Sequence, residues 1–513
     1  RDEDLEEEGR GRSMTTTPKP KLIYFFHLMI FSLLVFRAEA FLRNPFCSNA
    51  TKFTKKRISL ITTTQMGLSS STPETETKVA VVGAGGAGLA AGRFLREAGL
   101  QVKIFEKQNN IGGLWKYREG GPVYKSLVTN LPKQIMQFLD FPFDDALPSF
   151  VTHSDMYAYL QKYAKCFELE SLVHLNTEIT SVKRSSKPSM ALSDYTSWDV
   201  VSFDNKSGDQ IKETYDAVVI CNGHYDLPSI PDIPGLEKFP GSIMHSVQYD
   251  VPQPFEGKRV LCIGARASGT DVAREISSVA KTVHVCDKDC NEMETGGEHL
   301  NICRWPAVKC FHADGAVEFI DGNKVEIDVL VHCTGYDYHF PFLEEGIVET
   351  HDRRVDPLFQ HIFHPSYPTL SFVGIPHSVV PFPLFELQSQ WIAKIYNRSR
   401  SLPSSQEMMN WLEDHYRKLE ESGKRLRDAH HMSAKQWSYC REIFEQVDPL
   451  KMEELDQILS VNEEVYNDVG KFRPKFPGGA DEYRKRQYHV DRKTLSWKVE
   501  AGTYQDVASS PQS

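Results

Sequence analysis

Residues 78–89 read KVAVVGAGGAGL, and this stretch decides the fold. Its first five residues, Lys78–Val82, are mostly apolar and typical of a buried parallel strand. Three glycines with the spacing GxGxxG follow, and the apolar pattern from Leu89 to Ala98 predicts a helix. A strand, a glycine-rich turn and a helix in this order indicate a Rossmann dinucleotide-binding unit, in which the helix N-terminus faces phosphate groups.

The residues of this first turn have distinct predicted tasks. The turn contains Gly83, Gly85, Gly86 and Gly88. The first glycine permits the tight bend, the second lets the backbone approach a pyrophosphate, and the last lets helix and strand pack closely. The next predicted strand ends at Glu106, 23 residues after Gly83, where a carboxylate can accept hydrogen bonds from both ribose hydroxyls. An acidic residue there suits a cofactor without a 2′-phosphate.

The same pattern recurs about 180 residues further along the chain. Arg259–Ile263 predicts a strand, residues 264–269 (GARASG) a turn, and Thr270–Ser278 a helix. Arginine replaces the central glycine of this second turn. We expect the turn to bind a second dinucleotide through Gly264, Arg266, Ser268 and Gly269.

Two further segments carry a resemblance to a known family. Residues 239–249 (FPGSIMHSVQY) match the pattern FxGxxxHxxxY at Phe239, Gly241, His245 and Tyr249, and this pattern resembles that of the flavin-containing monooxygenases. Residues 112–115 (GGLW) resemble a segment of the FAD domain in the same family. Baeyer–Villiger monooxygenases typically have Trp where this chain has Tyr249. The resemblance implies FAD in the first unit and NADPH in the second.

The resemblance also implies roles for individual residues. Gly113, Leu114 and Trp115 would contact FAD, as would Gln388 in the segment PLFELQ. Asn130, in YKSLVTNLPK, would orient a flavin hydroperoxide and the retained nicotinamide, which makes it the expected catalytic residue. His245 and Tyr249 would belong to the hinge between the domains and position the nicotinamide.

The residues alone leave the choice of nicotinamide cofactor open. Asp287, 23 residues after Gly264, would repel a 2′-phosphate, whereas the next residue, Lys288, would bind one. Arg266 can also reach the adenosine end. We expect NADPH, on the family resemblance more than on these residues.

The fold class expected is α/β, with two Rossmann-like domains. The segments 216–224 (DAVVICNGH) and 328–336 (DVLVHCTGY) resemble the turns at which the chain of this family passes between domains. We therefore expect residues 76–227 and 333–450 to form the FAD-binding domain and residues 228–332 an inserted NAD(P)H-binding domain. Residues 451–513 would form a charged, turn-rich C-terminal extension.

Residues 1–75 are expected to be a targeting presequence. An apolar run, Leu22–Phe36, and the sequence AEA at 38–40 are typical of a signal peptide. Residues 41–73 contain no acidic residue and are rich in Ser and Thr, like a transit peptide. This order resembles the bipartite presequences of algae with a secondary red-type plastid, and ER entry or secretion is the alternative.

Composition excludes several classes of function. The formal net charge is −10, from 59 basic and 69 acidic residues, so no positive field is available to attract nucleic acid. Ten cysteines include no CxxC pair and no zinc-ligand spacing, so we expect neither a disulfide reductase nor a metal site. The C-terminal region has no apolar run of about 20 residues, so we expect no stable membrane anchor in the mature chain.

The family resemblance implies an NADPH- and O2-dependent monooxygenase. It would oxygenate the nitrogen or sulfur of a small nucleophilic amine or sulfide through a flavin hydroperoxide. Two alternatives stay open. One is a Baeyer–Villiger or other carbon-oxidising reaction, such as oxidative decarboxylation, and the other is a non-catalytic flavin and nicotinamide redox sensor.

Overall fold

The structure is a computed structural model that describes residues 76–189, 191–192 and 195–500. The presequence expected at residues 1–75 therefore lies outside the described residues, as do residues 501–513 of the expected C-terminal extension.

The strands follow one another along the chain in this order: β1 (Lys78–Val82), β2 (Gln101–Phe105), β3 (Val173–His174), β4 (Thr177–Pro188), β5 (Thr196–Asp204), β6 (Gln210–Tyr215), β7 (Ala217–Ile220), β8 (Leu227–Pro228), β9 (Ser242–His245), β10 (Arg259–Ile263), β11 (Thr282–Cys286), β12 (Glu294–Thr295), β13 (Ile302–Trp305), β14 (Val308–Phe311), β15 (Ala316–Phe319), β16 (Lys324–Glu326), β17 (Val329–His332), β18 (Tyr336–Asp337), β19 (Phe363–His364), β20 (Tyr367–Phe372), β21 (Gln487–Asp491) and β22 (Ser496–Glu500). The α-helices are α1 (Gly86–Glu97), α2 (Lys133–Met136), α3 (His153–Cys166), α4 (Ala267–Ser277), α5 (Pro381–Tyr396), α6 (Ser405–Glu421), α7 (Gln436–Val447) and α8 (Met452–Phe472).

The first six-stranded sheet has the order β19-β20-β7-β1-β2-β3. Strand β1 lies in its centre and pairs in parallel with β2 and β7. One face of this sheet packs through Val82 and Ile220 onto Trp198 and Val200 of the separate antiparallel sheet β4-β5-β6. The strands come from residues 78–220 and 363–372, on both sides of the second sheet in the chain.

The second six-stranded sheet has the order β12-β13-β11-β10-β17-β9 and uses only residues 242–332. Strand β10 occupies the position that β1 has in the first sheet, between two parallel neighbours, β11 and β17. Apolar cores lie on both faces of this sheet, as is usual for parallel strands. The predicted α/β class with two Rossmann-like units is confirmed.

Two predictions about secondary structure need correction. Helices α1 and α4 begin three residues earlier than predicted, because the last glycine of each turn already belongs to the first helical turn. The C-terminal extension is not mainly turns, because residues 452–472 form the long helix α8. Its buried residues Leu455, Leu459, Val465 and Val469 recur at helical spacing among charged neighbours, and that periodicity was the overlooked signal. None of the helices in the described residues is long and apolar enough to cross a bilayer.

Candidate functional site

The first glycine turn leaves no room for larger side chains. Gly83 has a φ of +101°, and its amide donates to the Phe105 carbonyl at 2.7 Å. A Cβ on Gly83 would lie 2.6 Å from the carbonyl oxygen of Cys221, which follows β7. A Cβ on Gly88 would lie 1.8 Å from the Gly83 oxygen. These contacts hold β1, β7 and α1 together at the point where the helix begins.

The N-terminus of α1 is suited to an anion. Gly85 is its N-cap residue and provides no side chain, and no hydrogen bond from a side chain caps this end within the described part of the chain. The amides of the first helical turn therefore keep their capacity to bind phosphate oxygens. Glu106 is buried beside this turn, where one carboxylate oxygen accepts from the Ala84 amide at 2.8 Å and the other from the Gln108 amide at 2.9 Å. Each carboxylate oxygen retains further acceptor capacity for a ribose hydroxyl.

The GGLW segment packs directly onto this turn. The Gly112 amide donates to the Ala84 carbonyl at 2.9 Å. A Cβ on Gly113 would lie 2.9 Å from the Cα of Gly85, so the two backbones touch. Leu114 is 37% exposed, and Trp115 is half-buried. These side chains offer an apolar surface next to the helix N-terminus.

The second glycine turn repeats the geometry of the first. Gly264 has a φ of +112°, and a Cβ on it would lie 2.5 Å from the carbonyl oxygen of Cys333, which follows β17. A Cβ on Gly269 would lie 1.8 Å from the Gly264 oxygen, the same distance as in the first turn. Helix α4 begins after Arg266, and no side chain of the described residues caps it.

Gly86 of the first turn has a different role from the other glycines, since a Cβ there would meet the Phe382 ring on α5 at 2.7 Å.

Charged side chains of both signs lie beside the second turn. Asp287, the residue expected to repel a 2′-phosphate, is paired with Arg304 at 2.7 Å. Arg266, Ser268 and Lys288 are exposed. Arg266 and Lys288 thus place two cationic side chains on the surface at this end of the second unit, and Arg304 is shared between Asp287 and Glu294.

Residues that sequence reasoning missed lie next to Arg266. Burial, the neighbouring His431 and His224, and the charges of Arg266 and Arg353 lower the pKa of His377 to about 3. Burial, with the charge of Arg266 next in size, also lowers the pKa of His431. Arg266 of the second glycine turn therefore lies close enough to His377 and His431 to influence their pKa values. No motif in the sequence marks these residues.

His245 connects the inserted unit to the strand by which the chain leaves it. Its Nδ1 accepts from the Val247 amide at 3.2 Å, so Nε2 carries the proton and donates to the Gly335 carbonyl at 3.0 Å. Burial lowers the pKa of His245, which favours this neutral form. The contact joins β9 to the turn after β17, in keeping with a hinge position.

Two side chains that were predicted to contact a cofactor form hydrogen bonds with other residues of the protein. Tyr249 is 2% exposed, and its hydroxyl donates to Glu275 on α4 at 2.7 Å. Gln388 is fully buried on α5, where its oxygen accepts from the Gly374 amide and its nitrogen donates to the Tyr439 hydroxyl, both at 2.9 Å. Their direct contact with cofactor stays a prediction, and as described these side chains fix the surrounding helices.

Asn130 lies in a loop that is held from several sides. The loop is anchored by Thr129, whose amide donates to the Val151 carbonyl at 2.9 Å and whose hydroxyl accepts from the Val151 amide at 3.1 Å. The Asn130 carbonyl accepts from the guanidinium of Arg473. The side chain of Asn130 is half-buried, which suits a residue that meets a bound molecule.

One group of potential metal ligands exists among the described residues. Cys310, His312 and Glu318 offer ligand atoms within 4.8 Å of one another. Lys309 and Lys324 pair with Glu318 at 2.6 and 3.1 Å. Two ammonium groups on one carboxylate disfavour a cation there, so we read this group as a surface ion-pair network.

Comparison with known proteins decides the family. The family model described as "Flavin-binding monooxygenase-like" matches residues 76–293 and 301–453. The chain belongs to the flavin-binding monooxygenase family. It is therefore an oxidoreductase, and FAD and NADPH are the cofactors that members of the family generally bind.

Relatives of this flavin monooxygenase include plant proteins. "Flavin-containing monooxygenase FMO GS-OX-like 4" of Arabidopsis thaliana is 40% identical over 390 residues, which are 70% of this chain and 85% of the relative. The solved S-allyl-L-cysteine S-oxygenase from Allium sativum is 35% identical with a TM-score of 0.72, and the match covers 82% of this chain and 97% of that one. Cyclohexanone monooxygenase from Rhodococcus sp. Phi1 shares the fold alone, with 15% identity, a TM-score of 0.51, and coverage of 72% of this chain and 97% of that one.

The residues of this monooxygenase fit the two cofactors of its family. In the part of the chain that the structure describes, no side chain caps the helix at either glycine turn, and a Cβ on Gly83, Gly88, Gly264 or Gly269 would clash with backbone. Among the described residues, Glu106 beside the first turn accepts hydrogen bonds from two backbone amides, whereas Asp287 beside the second turn is paired with Arg304. The placement of FAD on the first unit and of the nicotinamide cofactor on the second stays a prediction.

Proposed function

We propose that this chain is an NADPH- and O2-dependent monooxygenase that oxygenates the sulfur of a small thioether. The supporting observation is the 35% identity to an S-allyl-L-cysteine S-oxygenase that the chain covers almost end to end. The balanced reaction is thioether + NADPH + H⁺ + O2 → sulfoxide + NADP⁺ + H2O. Bound FAD would accept two electrons from NADPH and activate O2.

The first unit would hold FAD through three kinds of contact. The amides at the start of α1 would bind the pyrophosphate, with Gly85 allowing close approach. Glu106 would accept hydrogen bonds from the ribose hydroxyls. Leu114 and Trp115 would cover apolar surface of the cofactor.

The second unit would hold NADPH in preference to NADH. The amides at the start of α4 would bind its pyrophosphate. The exposed Arg266 and Lys288 would pair with the 2′-phosphate, and Arg304 would keep Asp287 from opposing it. His245, neutral and bonded to Gly335, would set the angle at which this unit meets the first.

Asn130 would be the catalytic residue that touches the reacting groups. A carboxamide has donors and an acceptor, so it can orient a nicotinamide and an oxygen atom without moving a proton itself. The thioether sulfur is the nucleophile in this reaction, and for that reason no general base is required of the chain. What the loop must supply is a fixed position and exclusion of water.

A competition assay tests the proposal. The purified chain receives NADPH and air together with equal amounts of S-allyl-L-cysteine, N,N-dimethylaniline and cyclohexanone, and the products are separated by mass spectrometry. The sulfoxide should dominate. A dominant N-oxide would identify an amine oxygenase, a lactone would identify a Baeyer–Villiger enzyme, and NADPH consumption without any oxygenated product would favour a redox sensor.

We also propose delivery to a secondary plastid, from the order of signal-like and transit-like segments in residues 1–75. A fluorescent protein fused behind these residues should accumulate in the plastid of a diatom. Retention in the ER or export to the medium would contradict this.

A further inference from the structure

A C-terminal segment beyond the family match contacts the loop that carries Asn130. The match ends at residue 453, and the chain continues through α8 into residues 473–492, which we call the brace. Arg473 of the brace donates to the carbonyl of Asn130 itself. Arg484 donates through Nε to the carbonyl of the preceding residue, Thr129, at 3.0 Å.

Residues further along the brace also form hydrogen bonds with the loop that carries Asn130 and with the segment packed beside it. The side-chain Nε2 of Gln134 donates to the Tyr488 carbonyl at 2.5 Å, and the backbone amide of Tyr488 donates to the Ser149 hydroxyl at 2.7 Å. Arg492 donates to the Gln134 carbonyl at 2.9 Å. The loop is thus bonded to Val151 on one side and to the brace on the other.

The brace also holds the second dinucleotide unit. Arg484 Nη2 pairs with Asp271 on α4 at 2.7 Å. Arg274, one turn later on the same helix, donates to the Pro477 carbonyl at 3.0 Å and pairs with Asp481 at 3.2 Å. The His299 amide donates to the Gly478 carbonyl at 3.1 Å.

One guanidinium joins these two attachments. The side chains of Arg484 and Asp271 are only 12% and 18% exposed, so solvent screens their charges little. The same guanidinium that pairs with α4 donates to the backbone beside Asn130. Its planar guanidinium contacts both partners at once and so links the position of α4 to that of Thr129.

We propose that Arg484 is a positioning residue that sets the place of Asn130 relative to the NADPH-binding helix α4. This inference rests on the proposed function, because it assigns the position of Asn130 a consequence for oxygen transfer. Loss of Arg484 would let the loop move without removing any group that touches cofactor. The expected result is uncoupling, in which NADPH + H⁺ + O2 yields NADP⁺ + H2O2 in place of sulfoxide and water.

The experiment compares the full-length chain with the variants Arg484→Met, Arg484→Lys and Arg417→Met. Arg417 is the matched control, because on α6 it pairs only with Asp414 and Glu421 of its own helix among the described residues. Amide hydrogen exchange is followed in the peptide covering residues 127–136, and hydrogen peroxide and sulfoxide are measured per NADPH at saturating NADPH.

The proposal predicts a specific pattern. Arg484→Met should keep its FAD, exchange several-fold faster at residues 127–136, and send a several-fold larger share of NADPH to peroxide. Arg484→Lys should bring both the exchange rate and the share of NADPH that yields peroxide part of the way back to those of the original chain. Lysine keeps the positive charge but lacks the planar guanidinium that contacts two partners. Arg417→Met should match the original chain in both measurements.

Three other outcomes are possible, and each has a definite meaning for the proposed role of Arg484. Unchanged exchange and unchanged peroxide in a folded, yellow Arg484→Met would overturn it. If that variant fails to fold, Asp271→Asn decides, because it removes the carboxylate that pairs with Arg484, and with Arg274 of its own helix, while Arg484 keeps its contact with Thr129. It should still accelerate exchange at residues 127–136, and unchanged exchange would overturn the proposal. If the original chain makes no sulfoxide at all, the proposed function fails, while the exchange measurement still decides whether the brace positions the loop.

Discussion

The α-carbon of Gly88 lies so close to the carbonyl of Gly83 that a Cβ on residue 88 would stand 1.8 Å from the carbonyl oxygen. In the second unit Gly269 has the same relation to Gly264. Both contacts join the start of a helix to the end of the central strand. Two turns with one geometry but different ligands allow matched substitutions.

Gly88→Ala should give a colourless protein, because the new methyl group forces α1 away from the strand and disrupts the FAD site. Gly269→Ala introduces the same clash in the second unit. It should keep FAD and stay yellow, while its KM for NADPH rises about tenfold or more, the effect of losing about 1.4 kcal/mol of binding. FAD content is measured by absorbance and KM by NADPH oxidation.

The two variants serve as controls for each other. If Gly269→Ala lost FAD while Gly88→Ala retained it, the assignment of cofactors to units would be reversed. Equal loss in both would show that the turns matter for folding alone.

Asn130→Ala should retain FAD and oxidise NADPH, yet form roughly tenfold less sulfoxide per NADPH. The carboxamide is expected to orient the reacting groups, and its removal leaves the glycine turns untouched. Asn130→Ser should behave similarly, because a hydroxyl is too short to replace it. The measurement is sulfoxide and peroxide per NADPH, and undiminished sulfoxide would refute the role.

The architecture follows from the sequence because its signals are local. Strand, glycine turn, helix and acidic residue all lie within about 30 residues of Gly83, and the same holds at Gly264. The histidine neighbours of Arg266 and the brace could not be predicted, since His377 and Arg484 reach the site only through tertiary packing. The hydrogen bond between Tyr249 and Glu275 was also not predicted, and the contact of Tyr249 with the cofactor stays a prediction.

Lys288→Gln should raise the KM for NADPH about tenfold and leave the KM for NADH unchanged. A charge-assisted hydrogen bond to phosphate contributes about 1.5–3 kcal/mol, and NADH has no 2′-phosphate to lose. Lys309→Gln is the control, because Lys309 is paired with Glu318 on a different sheet of the same region. A parallel change for both cofactors would place Lys288 outside the phosphate site.

Stability should fall as the pH drops from about 6.5 to about 4. His430 is buried, and burial with the charges of neighbouring groups lowers its pKa to about 3, whereas an unfolded histidine has a pKa of about 6.5. In that window the unfolded chain binds more protons, so each such histidine removes up to about 1.4 kcal/mol of stability per pH unit. Denaturant unfolding at several pH values measures the slope.

His430→Gln should reduce the change in the free energy of unfolding with pH by up to about 1.4 kcal/mol per pH unit, because the titrating imidazole is gone. His351, whose side chain is 81% exposed, provides the control, and His351→Gln should leave the slope as it was. An unaltered slope in His430→Gln would mean that other groups govern the acid sensitivity.

Isotopic oxygen tests the central claim most directly. The purified chain is incubated with NADPH, S-allyl-L-cysteine and ¹⁸O2 in ordinary water, and the molecular mass of the sulfoxide is measured by mass spectrometry. We predict one ¹⁸O atom in the sulfoxide and close to one sulfoxide per NADPH consumed. NADPH oxidation that yields only hydrogen peroxide, or a sulfoxide whose oxygen comes from water, would contradict the account.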